Sequence, residues 1–72
     1  MSQKTFHLEH HPHVALCDLL KLEGCCDSGG AAKQVIEAGL VTVNGVVELR
    51  KRCKIVAGQS VGFAGTVIQV RA

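Results

Sequence analysis

Two short segments of this sequence carry groups that could bind an anion such as phosphate. The first consists of Ser28, Gly29 and Gly30, with Lys33 following shortly after. This pattern predicts a helix that begins after a capping serine, and glycines at its start leave free backbone amides open to an anion. The same three residues would also serve as a plain helix cap in a close turn, so both interpretations stand.

The second segment is a run of cations at residues 50–54. In an extended strand Arg50, Arg52 and Lys54 would project from one face, and Lys51 would project from the other. Cations in such a row displace counterions from phosphates with little dependence on nucleotide sequence. The pattern therefore predicts contact with a polyanion backbone, with a solvated basic strand as the alternative.

The charges are distributed unevenly along the chain. Residues 1–48 contain three lysines against six acidic residues, whereas residues 49–72 contain five cations and no acid. This asymmetry indicates a polyanion-facing edge more clearly than the net charge of +2 does. Lys21 and Lys33 are weaker additions to that surface.

The histidines and cysteines raise the question of a metal site. Structural zinc usually needs paired ligands such as Cys-x-x-Cys, and the adjacent Cys25 and Cys26 have no second pair. We therefore predict no metal and no cofactor. Cys17 and Cys53 are predicted to be small core residues, whereas Cys25 and Cys26 fall in a linker, where metal or redox sensing is a further hypothesis.

Other classes of protein are disfavoured by what the sequence lacks. No nucleophile, base and acid stand at a recognisable spacing, and 72 residues form one domain too small for a deep cleft, so we predict no enzyme. No apolar run reaches 18 residues, and the start of the chain does not look like a secretory signal, so we predict a cytoplasmic protein. The only aromatic residues, Phe6 and Phe63, are too few for a surface that stacks single-stranded bases.

The elements that must position these segments follow from periodicity and turn signals. We predict an edge strand at residues 4–8, a connecting loop at 9–13 and an amphipathic helix over 14–22. Pro12 suits the first turn of a helix, since its missing N–H donor would be unpaired there. A second helix should run from the serine cap to a stop at Gly39.

The second half of the sequence has a β pattern. Strands are predicted at residues 40–43 and 46–49, joined by Asn44-Gly45, the strongest short-range hairpin signal. Further strands are predicted at residues 54–56, 61–63 and 66–70. The expected fold is α+β, with two short helices packed on a small, mainly antiparallel sheet.

The order of these motifs resembles the RNA-binding domain family named after small-subunit ribosomal protein four, also called the alpha-L motif. The resemblance covers residues 14–63 and rests on Ser-Gly-Gly-x-x-Lys, Val-Asn-Gly and Arg-Lys-Arg-Cys-Lys, which are most similar to short stand-alone bacterial members. Ala15 and Gly29 stand where the family usually has arginines. The helix start would therefore offer backbone amides and Lys33, and most charge contacts would come from the basic run.

The resemblance implies a single RNA-binding domain over residues 1–72 without catalytic activity. Its target would be structured RNA, such as ribosomal or transfer RNA, held through the phosphate backbone by a monomer. An alternative is a protein-interaction adaptor on a ribosomal or RNA-processing complex. The residues predicted to contact RNA are Ser28, Gly29, Gly30, Lys33, Arg50, Lys51, Arg52, Lys54 and Lys21.

Overall fold

The computed structural model describes residues 2–72 and contains two helices and seven strands within them. In chain order these elements are β1 (Ser2–His7), β2 (Val14–Ala15), α1 (Leu16–Leu22), α2 (Gly29–Glu37), β3 (Val41–Val43), β4 (Val46–Val47), β5 (Lys54–Ile55), β6 (Ser60–Phe63) and β7 (Thr66–Arg71).

The strands form one five-stranded sheet and one small ribbon. The order in the larger sheet is β1-β7-β6-β3-β4, and every pairing in it is antiparallel except β1 with β7, which is parallel. Strands β2 and β5 form a separate antiparallel pair. The predicted α+β class with a mainly antiparallel sheet is confirmed, and the edge position predicted for the first strand is observed.

One apolar cluster joins the helices to the sheet. The helix residues Leu16, Leu19 and Leu20 are fully buried, as the predicted apolar face requires, and they lie in the same cluster as Ala32 and Ile36 of α2. The sheet contributes further fully buried aliphatic side chains, namely Val41, Val61, Ile68 and Val70. Neither helix in residues 2–72 has the length and apolar character needed to cross a membrane.

Helix α1 starts later than predicted. Val14 and Ala15 lie in β2, and Pro12 lies in a bend before that strand, outside the helix. The first helical amides donate to carbonyls of the basic run: Leu16 N to Cys53 O at 2.9 Å, and Cys17 N to Lys51 O at 3.1 Å. These acceptors come from a distant part of the chain and replace the side-chain cap that Ala15 cannot supply.

Helix α2 begins and ends where the sequence indicates. The Ser28 hydroxyl accepts a hydrogen bond from Ala31 N at 3.1 Å. At the other end Gly39 has φ +79°, and its N–H donates to Ile36 O while Leu40 N donates to Val35 O. This pair of bonds defines a Schellman ending, in which glycine adopts the left-handed backbone without steric cost.

The predicted hairpin is present, with a shorter second strand. Asn44 and Gly45 have φ values of +52° and +82°, as a type I′ turn requires. Asn44 also accepts through Oδ1 from Ser60 N at 2.9 Å, which ties the turn to β6. Strand β4 stops at Val47, so residues 48 and 49, predicted as strand, already belong to the connection that leads to the basic run.

Candidate nucleic-acid interface

The basic run forms a turn, and its predicted extended conformation is wrong. Residues 51–52 form the turn, Cys53 N donates to Arg50 O at 3.2 Å, and only Lys54 enters a strand. The carbonyls of this segment face the start of α1, which uses them as hydrogen-bond acceptors. We call residues 50–54 the basic turn.

Arg50 is held by a carboxylate two residues before it. Its Nε donates to Glu48 Oε2 at 3.0 Å and its Nη2 to Oε1 at 3.1 Å, while the Arg50 backbone N–H also donates to Oε2 at 3.0 Å. The side-chain hydrogen bonds from Arg50, followed by its backbone N–H, lower the pKa of Glu48 to about 2. Glu48 therefore remains ionised and orders the entrance to the basic turn.

Lys51 also has an acidic partner. Its Nζ lies 2.7 Å from Oε1 of Glu37, the last residue of α2, and both side chains are largely exposed. Exposed pairs of this kind contribute little to stability, typically about 0.2–1 kcal/mol. The Lys51–Glu37 pair shows that the basic turn lies beside the C-terminal end of α2.

Arg52 and Lys54 carry the charges that remain available. Both residues are exposed, and within residues 2–72 neither forms an ion pair. A phosphate group can approach them without displacing a carboxylate. The basic turn thus combines two cations that shape the turn with two that can contact a ligand.

The start of α2 presents an open backbone at Gly29 and Gly30. A Cβ added at Gly29 would meet no atom within 4 Å, and one at Gly30 would meet only Ser28 Oγ at 3.8 Å. Neither residue has a positive φ, so the fold does not require glycine at either position. The two glycines leave the first helical amides uncovered, which suits an anion at this end of the helix dipole.

The structure separates the two predicted segments. Glu37 contacts the basic turn, and Ser28 lies at the opposite end of the same helix, about 13 Å away along its axis. Lys33, predicted to be exposed, is half-buried in α2, and Lys21 is exposed in the last turn of α1. Arg50, Lys51, Arg52 and Lys54 are thus brought together, whereas the helix start is a second, distinct part of the surface.

The acidic partners of the basic turn were missed by the sequence reasoning. Glu48 precedes Arg50 by two residues, so its proximity was visible in the sequence. Glu37 is distant from Lys51 in the chain, and only the packing of α2 brings the two together. A count of charges therefore overstated the number of free cations in this segment.

The four cysteines are free thiols that differ in burial. Cys17 is buried in the core as predicted, and Cys53 is half-buried against that core. Burial, with smaller effects from Cys25 and Asp27, raises the pKa of the Cys26 thiol, which disfavours the nucleophilic thiolate. Within residues 2–72, no three metal-ligating side chains converge.

Replacing Glu48 with glutamine should change how stability depends on pH. Because the folded-state pKa of Glu48 lies below its usual value of 4.5, its stabilising contribution is present above pH 4.5 and is lost as the pH falls towards 2. Urea unfolding at several pH values should show wild type losing more stability than E48Q over that range. Equal pH dependence of the two proteins would contradict this assignment.

Comparison with known proteins defines the class of this chain. The S4 domain family model matches residues 6–71, nearly the whole sequence. The chain belongs to the S4 domain family.

Two curated relatives share 65% of their residues with this chain over 66 aligned positions, covering 92% of this chain and 94% of each relative. They are "Putative RNA-binding protein YbcJ" of Escherichia coli (strain K12) and "Uncharacterized protein YbcJ" of Shigella flexneri. The solution structure of YbcJ from E. coli, described as revealing an alfaL motif involved in RNA-binding, matches with a TM-score of 0.76 and 61% identity. That match covers 100% of this chain and 91% of the other.

Proposed function

We propose that this chain is a non-catalytic RNA-binding protein that recognises structured RNA through its phosphate backbone. The observation that carries the proposal is that Arg52 and Lys54 are exposed and form no ion pair within residues 2–72. Both cations belong to an ordered turn of an S4-family fold. The RNA-binding names given to the YbcJ relatives support the same conclusion.

The geometry favours recognition of backbone shape over base sequence. Arginine and lysine contacts to phosphate position a protein on nucleic acid and carry no sequence information directly. The backbone of the basic turn is held by the hydrogen bonds that its carbonyls accept from Leu16 N and Cys17 N, so its free cations are presented at a defined spacing. Defined spacing suits the regular phosphates of a folded RNA.

The start of α2 would supply a second group of contacts. In this proposal a phosphate oxygen accepts from the amides of Gly29 and Gly30, and Ser28 keeps its capping role. Lys33 and Lys21 add charge on the two helices as weaker contacts. Because the basic turn contacts the C-terminal end of α2 and the glycines lie at its N-terminal end, the two groups would contact different phosphates of one RNA.

Several finer features belong to the same proposal. The chain would act as a single RNA-binding unit over residues 1–72, as a monomer, in the cytoplasm. Its target would be structured RNA such as ribosomal or transfer RNA.

Titration of a labelled RNA hairpin, with a DNA hairpin of matched sequence, tests the proposed function. Between about 50 and 200 mM salt, we expect the logarithm of the RNA association constant to fall linearly with the logarithm of salt concentration. Two to four phosphate contacts correspond to a slope between about −2 and −4. Undetectable RNA binding at low salt, or affinity that does not change with salt, would contradict the proposal.

A protein-interaction adaptor remains the second candidate because apolar side chains are exposed around strand β4. They are Leu40, Val46, Val47 and Leu49, each more than half exposed. Affinity purification with and without nuclease separates the two functions, since a partner held by protein contact survives nuclease and one held through RNA does not.

A further inference from the structure

A groove with a volume of about 620 Å³ lies next to Arg52. Its walls come from the end of β1, the loop that follows it, and α1, with Arg52 contributed by the basic turn. The groups that give the groove its chemistry are three histidines, two carboxylates and two apolar side chains: His7, His11, His13, Glu9, Asp18, Phe6 and Leu22. The groove is therefore continuous with the surface proposed to hold phosphate.

The loop on one side of this groove has an unusual backbone. Glu9 and His10 have φ values of +51° and +76°, a left-handed conformation that is unfavourable for residues other than glycine. The turn is closed by a hydrogen bond from His11 N to Leu8 O at 3.1 Å, and Leu8 is buried. The surrounding fold thus imposes a strained conformation on the groove wall, a feature that clusters at ligand-binding sites.

The charges inside the groove select against a phosphate there. Glu9 and Asp18 present carboxylates that repel phosphate, but their oxygens accept hydrogen bonds from the amino groups of nucleobases. His7, His11 and His13 offer imidazole rings, on which unstacked bases can pack. Phe6 and Leu22 offer apolar surface. A flat, neutral ring with amino donors satisfies all of these groups.

We propose that this groove binds an unpaired nucleobase bearing an exocyclic amino group, beside a phosphate held by Arg52. The inference rests on the proposed RNA-binding function and adds to it a preference for bulged adenine, cytosine or guanine over uracil. The chain has few aromatic residues, and in this groove histidine rings would take their place as the surface on which a base stacks.

Three RNA hairpins that share one stem test the inference: a fully paired stem, one with a single bulged adenine and one with a single bulged uracil. Wild type should bind the adenine bulge about fivefold or more tightly than the other two. Equal affinity for all three would overturn the inference and leave the proposed function intact. Binding to none of them would overturn both.

Variants then locate the preference in the groove. The double substitution H11A/H13A, which leaves one of the three groove histidines, should reduce the preference for bulged adenine while leaving affinity for the paired stem within about twofold of wild type. H10A is the matched control, because the His10 side chain does not line the groove although its backbone belongs to the adjoining loop, and it should keep the preference.

A second variant, D18A, tests the carboxylate directly. It also keeps the inference testable if circular dichroism shows that H11A/H13A does not fold. It should lower the affinity for bulged adenine and leave bulged uracil unchanged. If D18A or H11A/H13A folds and retains the full preference, the base does not bind in this groove and the inference is wrong.

Discussion

Replacing Arg52 and Lys54 together with alanine is expected to weaken binding to an RNA hairpin by about tenfold or more near 0.1 M salt. It should also make the slope of the logarithm of the association constant against the logarithm of salt concentration shallower by about 2, because each of the two cations is proposed to neutralise one phosphate. The reason is local, since these are the cations of the basic turn that have no carboxylate partner within residues 2–72. Fluorescence anisotropy at several salt concentrations measures both quantities.

The matched control neutralises the same number of charges elsewhere. K4Q/R71Q removes two cations from β1 and β7, outside the predicted contact residues, and changes the net charge by the same amount. Because neither residue belongs to the proposed contact residues and salt screens charges that do not contact the RNA directly, we expect affinity to fall by less than about threefold. If the control weakens binding as much as R52A/K54A does, total charge and not the basic turn determines binding.

Replacing Gly62 with alanine is expected to destabilise the fold by about 1–3 kcal/mol. Gly62 of β6 pairs with Thr42 of β3, and a Cβ added at Gly62 would lie 2.6 Å from Thr42 Oγ1. Threonine is branched at Cβ and has few rotamers, so relief of this contact requires movement of the sheet. Thermal unfolding should show the midpoint falling by about 4–8 °C for each kcal/mol of destabilisation.

Two further variants establish the cause of this destabilisation. T42A in the G62A background removes the conflicting hydroxyl and should recover much of the stability. G30A introduces the same methyl group at the start of α2, where its nearest neighbour, Ser28 Oγ, is 3.8 Å away, and should cost little. An unchanged unfolding midpoint in G62A, or no recovery in the double variant, would contradict the steric explanation.

Local sequence signals predicted the elements that depend on local interactions. The spacing of leucines indicated the buried face of α1, Ser28 and Gly39 marked the ends of α2, and Asn44-Gly45 predicted the hairpin. Each of these features depends on residues that are close in sequence, through rotamer, capping or φ preferences. The α+β class followed from their order.

Features that depend on distant partners were not predicted correctly. Residues 14 and 15 continue the helical pattern, yet they pair with β5, and the first amides of α1 bond to carbonyls of the basic turn. The parallel pairing of β1 with β7 likewise joins the two ends of the described chain and has no local signal. The alternation of cations at residues 50–54 suggested a strand. The turn observed there is held by hydrogen bonds to the start of α1, and the sequence pattern does not show such a distant contact.

The same distinction applies to the candidate interface. Residue type and spacing identified the basic turn and the start of α2, and their contacts with RNA stay a prediction. The sequence did not indicate which cations are free, because the pairing of Lys51 with Glu37 depends on where α2 packs. The strained loop at Glu9 and His10, and the groove beside it, also arise only in the folded chain.

The most direct test of the proposed interface is an NMR titration of the isotope-labelled chain with an RNA hairpin. Backbone amide shifts should change for residues 50–54 and for residues 28–33, with the changes at residues 50–54 the larger and diminishing as salt is raised. Shifts confined to the exposed strand β4, or to the sheet strands β1 and β7, would contradict the assignment of these two segments as the RNA-binding surface.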